Sequence, residues 1–247
     1  MPNRRCGVRL ALVLALVLIA IRPAAAQSTI FNVPTTDTVA PKHVYFEFDY
    51  LPQIPEPDGG DRFQTYTPRI VFGVVSNVEA GVNVSNTHVG GETFSLFQPD
   101  AKYKFYADDN KGLAAAAGFI WYIPITHRDE AGTFGLVYGN FSKKVKSGDH
   151  GPRVTVGPYG VVAGEDDFSG PKGGVLAGYE QPVTSKVSIA ADWFSGKNFF
   201  GFFTPGVSIT LPRNGLLNIG YSFGNDSFES PSNDNRALFV YYGVTFP

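Results

Sequence analysis

The chain has almost no cysteine, few charges and only one long apolar run. Its single cysteine, Cys6, precedes that run within residues 1–26, so it is neither a lipoprotein attachment site nor half of a mature disulfide. Charged residues make up only 17% of the 247. After residue 26 no apolar run approaches the roughly 20 residues of a membrane-spanning helix. If the remainder enters a membrane, it must therefore do so as a closed β-barrel, which also satisfies every backbone group in lipid.

The first 26 residues have the three parts of a secretory signal peptide. Three arginines precede an apolar run over 10–21, and Ala24 and Ala26 satisfy the small-x-small cleavage rule. The alternative is an N-terminal membrane anchor, but this run is too short to cross a bilayer core. We therefore predict export with cleavage after Ala26, and a mature chain that begins at Gln27.

The mature chain is acidic and rich in glycine and aromatic residues. It carries 16 Lys and Arg against 22 Asp and Glu, a formal net charge of −6, because the signal peptide holds four Arg and no acid. Nucleic acid is therefore not expected as a partner. The full sequence contains 28 Gly, 21 Phe and 12 Tyr, which is typical of an all-β chain with many turns.

Twelve segments after residue 41 have the length and period of β-strands. In the eleventh, Leu217 and Ile219 alternate with Asn218 and Gly220, so one face is apolar and the other small or polar. The segment 27–41 is polar, contains prolines and lacks alternation. We interpret it as a periplasmic lead-in, with a place in the barrel mouth as the alternative, and 42–247 as one domain. The predicted strands are 42–51, 63–74, 78–86, 93–107, 111–125, 132–144, 153–163, 173–182, 186–194, 198–212, 216–224 and 236–246.

Alternation alone fits both a soluble sandwich and a membrane barrel, and the connections favour the barrel. Most even-numbered connections are short hairpins, whereas odd-numbered ones include 52–62, 164–172 and 225–235. Short turns at one end and long loops at the other are typical of outer-membrane barrels. Aromatic residues also fall near both predicted rims, as an interfacial girdle requires. They are Tyr50, Trp121, Trp193, Phe194 and Phe199 at the outer rim, and Tyr103, Phe105, Tyr242 and Phe246 at the periplasmic rim.

The last predicted strand ends in an aromatic residue preceded by alternating apolar residues, from Leu238 to Phe246. It resembles the closing strand of bacterial outer-membrane β-barrels, which their assembly machinery recognises, although Pro247 follows the aromatic. The whole mature chain resembles an antiparallel, up-and-down barrel of this class with about twelve strands. The resemblance implies a cell outer membrane location, with membrane lipid and the barrel-assembly machinery as partners. Its members include porins, nucleoside channels, lipid hydrolases and autotransporter pores, so the fold does not give the function.

Motifs for catalysis and for bound cofactors are missing from the sequence. The four histidines are scattered without metal-ligand spacing, and the His-x-Ser triplet of outer-membrane lipases does not occur. We therefore predict no enzyme activity, cofactor or dedicated metal site. The acidic loops 164–170 and 225–235 could hold Ca²⁺, although such loops are usually only solvated.

Charged residues fall on the inward face of the predicted strands, which would be ruinous in a dry sandwich core. They suit a hydrated lumen, and they predict a narrow passive channel for small hydrophilic solutes with a weak preference for cations. The alternative is a closed structural or surface-interaction barrel; a membrane-embedded lipid hydrolase is less favoured. Three cross-strand ion pairs are expected: Glu47–Arg69, Glu79–Lys104 and Arg153–Glu180. The predicted lumen-facing residues are Glu47, Asp49, Arg69, Glu79, Asp100, Lys102, Lys104, Arg153, Glu180 and Asp192.

Overall fold

The computed structural model describes residues 28–129, 131–145, 151–162, 168–228 and 233–247. The predicted signal peptide lies outside these residues. All twelve predicted strands are confirmed, with ends that mostly shift by one to three residues. A short 3₁₀-helix spans Asn225–Phe228. The strands are β1 Val44–Pro52, β2 Gln64–Val75, β3 Val78–Val89, β4 Glu92–Asp108, β5 Leu113–Pro124, β6 Phe134–Lys144, β7 Arg153–Val162, β8 Gly173–Pro182, β9 Val187–Phe194, β10 Phe202–Leu211, β11 Gly215–Gly224 and β12 Arg236–Phe246.

The strands form one closed antiparallel barrel. Each strand pairs with its neighbour in the chain, and β1 also pairs with β12, where Val44 lies opposite Phe246 and Tyr50 opposite Val240. Closure leaves no unpaired sheet edge, which is the condition for a sheet to sit in lipid. The predicted fold class is therefore confirmed, with twelve strands. Among the described residues, no helix is both long enough and apolar enough to cross a membrane.

The two faces of the wall differ as the two-residue period requires. Along β1, Phe46 and Phe48 are 38% and 40% exposed, whereas the intervening Glu47 is 2% exposed. Charged side chains thus lie inside the barrel and apolar side chains outside. Large exposed apolar residues surround the outer surface, including Phe72, Phe119, Val137, Val156, Val175, Ile189 and Ile219.

The barrel has two unlike ends. At one end, here called the turn end, lie the start of β1, the end of β12 and compact connections such as 76–77 and 212–214. The opposite end, called the loop end, carries the longer connections 53–63, 125–133, 195–201 and 225–235. The expected asymmetry is present, with the exceptions of 145–152 at the turn end and the tight Gly90–Gly91 turn at the loop end.

Several strand registers differ by two residues from their predicted values, because the hairpin turns differ from the predicted ones. Gly90 and Gly91 have φ of 59° and 83°, so they form a two-residue turn that extends β3 and β4 toward each other. Glycine accepts these left-handed angles without strain. In the hairpin between β10 and β11, Arg213 and Asn214 take positive φ, so the turn comes one residue earlier than predicted. Both of these shifts are even, so the inward residues of these strands stay inward.

The connection from β9 to β10 corrects one strand boundary and two predicted rim residues, Phe194 and Phe199, the second of which packs against the inward-facing Tyr122. Residues 198–201, predicted as the start of the tenth strand, belong to this connection and fold across the loop end. Phe194, expected at the outer rim, is 2% exposed and packs inside against Phe200 and Tyr159. Trp193, the residue before it, faces outward and is 38% exposed. Adjacent strand residues point to opposite faces, so Trp193 and Phe194 cannot both face lipid.

Candidate functional site

Residues 28–39 lie inside the barrel, and we call this segment the plug. It contacts nine of the twelve strands through hydrogen bonds alone, from Arg69 on β2 round to Tyr241 on β12, and most of its residues are buried. This corrects the expected periplasmic lead-in; the alternative of a segment in the barrel mouth comes closer. The chain enters from the turn end, where Lys42 donates its backbone N–H to Gly73 O at 3.0 Å. A buried backbone needs partners for its polar groups, and the polar inner wall supplies them.

The plug makes a compact turn that is held by one carboxylate. The backbone N–H groups of Phe31, Asn32 and Val33 all donate to Asp192 Oδ2, at 2.9, 2.6 and 2.7 Å. Within the turn, Ile30 N–H donates to Val33 O at 2.9 Å. Successive N–H groups that point to one spot form an anion-binding nest, and the buried Asp192 oxygen fills it.

Polar contacts also fix the part of the plug near the turn end. Thr36 Oγ1 lies 2.6 Å from Ser142 Oγ on β6. Asp37 forms an ion pair with Arg153, which also pairs with Glu180 at 2.6 Å. Burial alone would raise the pKa of the Asp37 carboxyl, but the Arg153 guanidinium beside it holds that pKa below its ordinary value, so Asp37 is ionised at neutral pH.

A buried charge cluster joins the first residue of the plug to β2, β3 and β4. Ser28 Oγ donates to Glu79 at 2.5 Å, and Lys102 Nζ lies 2.9 Å from the same carboxylate. Lys102 also donates to Ser28 O at 3.0 Å. Val39 N–H, further along the plug, donates to Glu79 at 2.7 Å. Glu79 therefore binds two parts of the plug and one wall cation at once.

The same cluster extends to Arg69, whose guanidinium lies 3.5 Å from Glu47 and 3.8 Å from Asp100. Arg69 also donates to Ser28 Oγ at 3.2 Å. All three charged residues are at least nine-tenths buried. Opposite charges at this separation offset part of the cost of removing each from water.

The plug also buries apolar side chains in notches of the wall. Ile30 and Phe31 are 0% and 4% exposed and pack with Phe239 and Tyr241. Phe31 lies against glycines of β10 and β11, and a Cβ on Gly220 would come 2.8 Å from Phe31 Cε1. Glycine inside a strand often marks the close approach of another segment. The glycines of β10 and β11 are therefore the one signal in the sequence for a segment packed inside the barrel.

The predicted lumen residues form two of the three expected ion pairs. The expected pairs Glu47–Arg69 and Arg153–Glu180 form, whereas Glu79 pairs with Lys102 and not with Lys104. The tight Gly90–Gly91 turn causes this difference, since it sets Glu79 directly opposite Lys102. Lys104 lies nearer the turn end, within electrostatic reach of Asp37. Asp49 stands apart from the plug and faces the open space described next.

The loop half of the barrel contains a cavity of about 600 Å³, which we call the vestibule. Thr29, Phe31 and Asn32 of the plug form its floor. Toward the turn end the interior is filled, since Val71 and Thr155 on opposite walls are both 0% exposed. Within the described residues, the vestibule opens toward the loop end and the plug closes the barrel below it.

Two further expectations concern ligands. Among the described residues, no cluster of three or more His, Cys, Asp or Glu side chains could hold a metal ion. The suggested Ca²⁺ loops include 164–167 and 229–232, which lie outside the residues that the structure describes.

Two solved structures that share the fold are described as a porin and an outer membrane channel. A KdgM porin superposes with a TM-score of 0.55 at 11% identity, over 83% of this chain and 99% of the porin. The COG4313 outer membrane channel from Pseudomonas putida F1 gives 0.54 at 8% identity, over 85% of this chain and 97% of the channel. The fold is that of outer-membrane porin-like barrels, as the sequence resemblance predicted. No protein-family model and no curated protein matches the chain.

A second KdgM porin structure is described as a complex with disordered oligogalacturonate. It superposes with a TM-score of 0.55 at 10% identity and covers 83% of this chain and 99% of that chain. At such identities the likeness concerns the fold, and the functional argument depends on the interior of this barrel.

Proposed function

We propose that this protein is an outer-membrane channel for small hydrophilic solutes, and that the plug closes it in the conformation described above. The turn end would face the periplasm and the loop end the exterior, which is the usual orientation of such barrels. The apolar outer surface would contact membrane lipid, and the barrel-assembly machinery would recognise β12. The predicted signal peptide provides export.

The observation that carries the proposal is the way the plug is bound. Its turn, its first residue and its turn-end part contact the wall through Asp192, Glu79 and Arg153, all of which water can solvate when the plug leaves. The plug is joined to the barrel by a single covalent connection, near Lys42 at the turn end. Withdrawal toward the periplasm would thus leave a wall lined with charges and hydroxyls, suited to a hydrated passage.

The lumen charges support a weak cation preference for the open barrel. The ten predicted lumen residues comprise six acids and four bases, a net charge of −2. A narrow passage of this sign raises the local concentration of cations over anions. The bound oligogalacturonate belongs to the KdgM porin, and from it we carry over only the broad class of hydrophilic solutes.

A second candidate function, a permanently closed structural barrel, is favoured by one observation. Phe31 is buried against Gly220 and Phe239, and leaving this notch exposes an aromatic side chain to water. Burial of such a side chain is worth roughly 1.5–3 kcal/mol, which opposes opening but does not prevent it.

Planar-bilayer recording distinguishes the two functions. We compare the mature chain with a variant that lacks residues 28–40 and keeps Gln27, so that the first mature residue at the predicted cleavage site is unchanged. The channel proposal expects steady conductance from the deletion variant and rare openings from the intact chain. Faster migration of unheated than of boiled samples in detergent gels verifies that both proteins are folded barrels. A folded deletion variant without conductance would assign the protein to the closed structural class.

A further inference from the structure

The vestibule has two chemically different walls. Strands β1 to β4 contribute polar side chains, among them Asp49, Arg69 and Asn83. The opposite side is apolar and includes Phe194, Phe199 and Phe200. A cavity of about 600 Å³ lies within the 300–1,000 Å³ range of small-molecule sites.

The polar wall holds buried atoms that have no hydrogen-bond partner in the protein. They are Asp49 Oδ1, Arg69 Nε and Asn83 Oδ1. Arg69 and Asn83 are 7% and 8% exposed, and they lie directly opposite each other on β2 and β3. Asp49 lies nearby on β1, opposite Thr67, one inward position from Arg69 toward the loop end. Buried polar atoms without partners are rare, so the wall around Asp49 keeps hydrogen-bonding capacity that the protein itself does not use.

The apolar wall is built from aromatic rings that support one another. The Phe199 ring lies 5.2 Å from that of Phe200 and 5.6 Å from that of Tyr122, each in an edge-to-face arrangement. Phe199 is nevertheless 53% exposed. An exposed ring on a packed aromatic base presents a preformed surface for the apolar part of a ligand, and its face attracts cations.

The charges on the vestibule wall indicate which polar group such a ligand would carry. Among the described residues, those that line the vestibule and carry a charge are Glu47, Asp49, Arg69, Lys197 and Asp226. Three acids against two bases leave this described part of the wall negative. Glu47 already pairs with Arg69. Asp49 forms no salt bridge among the described residues, and its carboxyl lies within hydrogen-bond reach of Glu47, so two neighbouring acids share one guanidinium. Asp49 is therefore the acid on this wall best placed to receive a cation from outside.

We propose that the vestibule binds a small organic amine with an apolar body. Its ammonium group would donate to the Asp49 carboxyl, and its apolar body would lie on Phe199 and Phe200. Because the plug forms the floor, the site exists in the closed barrel. The inference therefore goes beyond the proposed function and holds whether or not the barrel conducts.

Calorimetric titration of the purified mature chain in detergent tests the site with three probes of nearly equal size. These are 2-phenylethylamine, 2-phenylethanol and phenylacetate, which differ in the charge of the polar group. We expect the amine to bind at least about tenfold more tightly than the alcohol, as for a charge-assisted hydrogen bond in a partly dry site. Phenylacetate should bind most weakly. Equal affinities, tighter phenylacetate binding or no binding of the amine would each overturn the proposal.

Two variants assign the contacts, with one matched control. Asp49→Asn should remove the preference for the amine over the alcohol, and Phe199→Ala should weaken both probes alike. Asp109→Asn makes the same acid-to-amide change in a turn-end hairpin and should bind as the unchanged chain does. Heat-modifiable gel migration verifies that each barrel is folded. If Asp49→Asn keeps the amine preference in a folded barrel, the assignment of the ammonium site is wrong.

Discussion

Ile219 and Thr67 face opposite sides of the same wall, so one substitution can compare the two environments. Ile219 lies near the middle of β11 and is 37% exposed on the outer surface. Thr67 lines the vestibule opposite Asp49. We expect Ile219→Arg to destabilise the barrel by about 2–4 kcal/mol, because it places a charge at the bilayer midplane. Thr67→Arg should lower the free energy of unfolding much less, since water and Asp49 would surround the new guanidinium.

Unfolding in urea from lipid vesicles measures both variants against the unchanged chain. Ser222 would be the simplest inward control, because it lies on β11 itself, but it is 2% exposed and bonded to Thr204, so arginine would not fit. Thr67 avoids this complication. Equal losses at Ile219 and Thr67 would contradict the assignment of the two faces.

Asp192 is the residue on which the position of the plug turn depends most. Its single oxygen Oδ2 accepts three backbone N–H groups, and bonds to an ionised acceptor are about twice as strong as neutral ones. Asp192→Asn should weaken the binding of the plug turn to the barrel wall by about 1–3 kcal/mol. We expect more frequent openings in bilayer recordings. Asp49→Asn, an equal change without contact to the plug, serves as the control and should leave the opening frequency unchanged.

At the scale of elements, the sequence predicts the strands well and their registers less well. Strand β8 has its predicted bounds, and β11 differs by one residue, because alternation along each strand is a local property. Register depends on turns, and turns depend on a few dihedral angles. Gly90 and Gly91 form a tight turn where the sequence predicts a longer loop. Glu79 therefore pairs with Lys102 and not with Lys104.

The plug was the element that local patterns could not place. Residues 28–39 have no regular period, and their partners lie as far away in sequence as Asn218, which donates to Ile30 O at 2.8 Å. Such contacts are set by closure of the whole barrel and not by local propensity. The sequence predicts the charges of the inner wall, but it does not reveal that Asp192, Glu79 and Arg153 bind the chain's own N-terminal segment.

A disulfide can test whether the plug must move for solutes to pass. Thr36 Oγ1 and Ser142 Oγ are 2.6 Å apart, close to the reach of a disulfide, and the predicted mature chain contains no cysteine to compete. The Thr36→Cys, Ser142→Cys variant should not conduct when oxidised, and openings should return on reduction. The Thr36→Cys single variant should be indifferent to reductant. A cross-linked barrel that conducts as well as the reduced one would show that the passage bypasses the plug.

At the scale of the whole molecule, the wall charges set the selectivity of the open barrel. With residues 28–40 deleted, the six acids and four bases of the lumen are left without the plug, and their net charge of −2 remains. A mean potential of about −1 kT in the passage would concentrate cations roughly threefold over bulk. We therefore expect the reversal potential under a salt gradient to show a weak preference for cations.

The same recordings can locate the charges that cause the preference. Asp49 and Asp192 form no salt bridge among the described residues, whereas Glu47, Glu79, Asp100 and Glu180 each pair with a base. Changing both Asp49 and Asp192 to Asn in the deletion variant brings the lumen to neutrality, and the preference should fall toward unity while conductance persists. Asp109→Asn, at the turn end outside the lumen set, should leave the reversal potential unchanged. Because paired charges largely cancel at the distance of a passing ion, a preference that survives in the double variant would mean that ions follow another part of the wall.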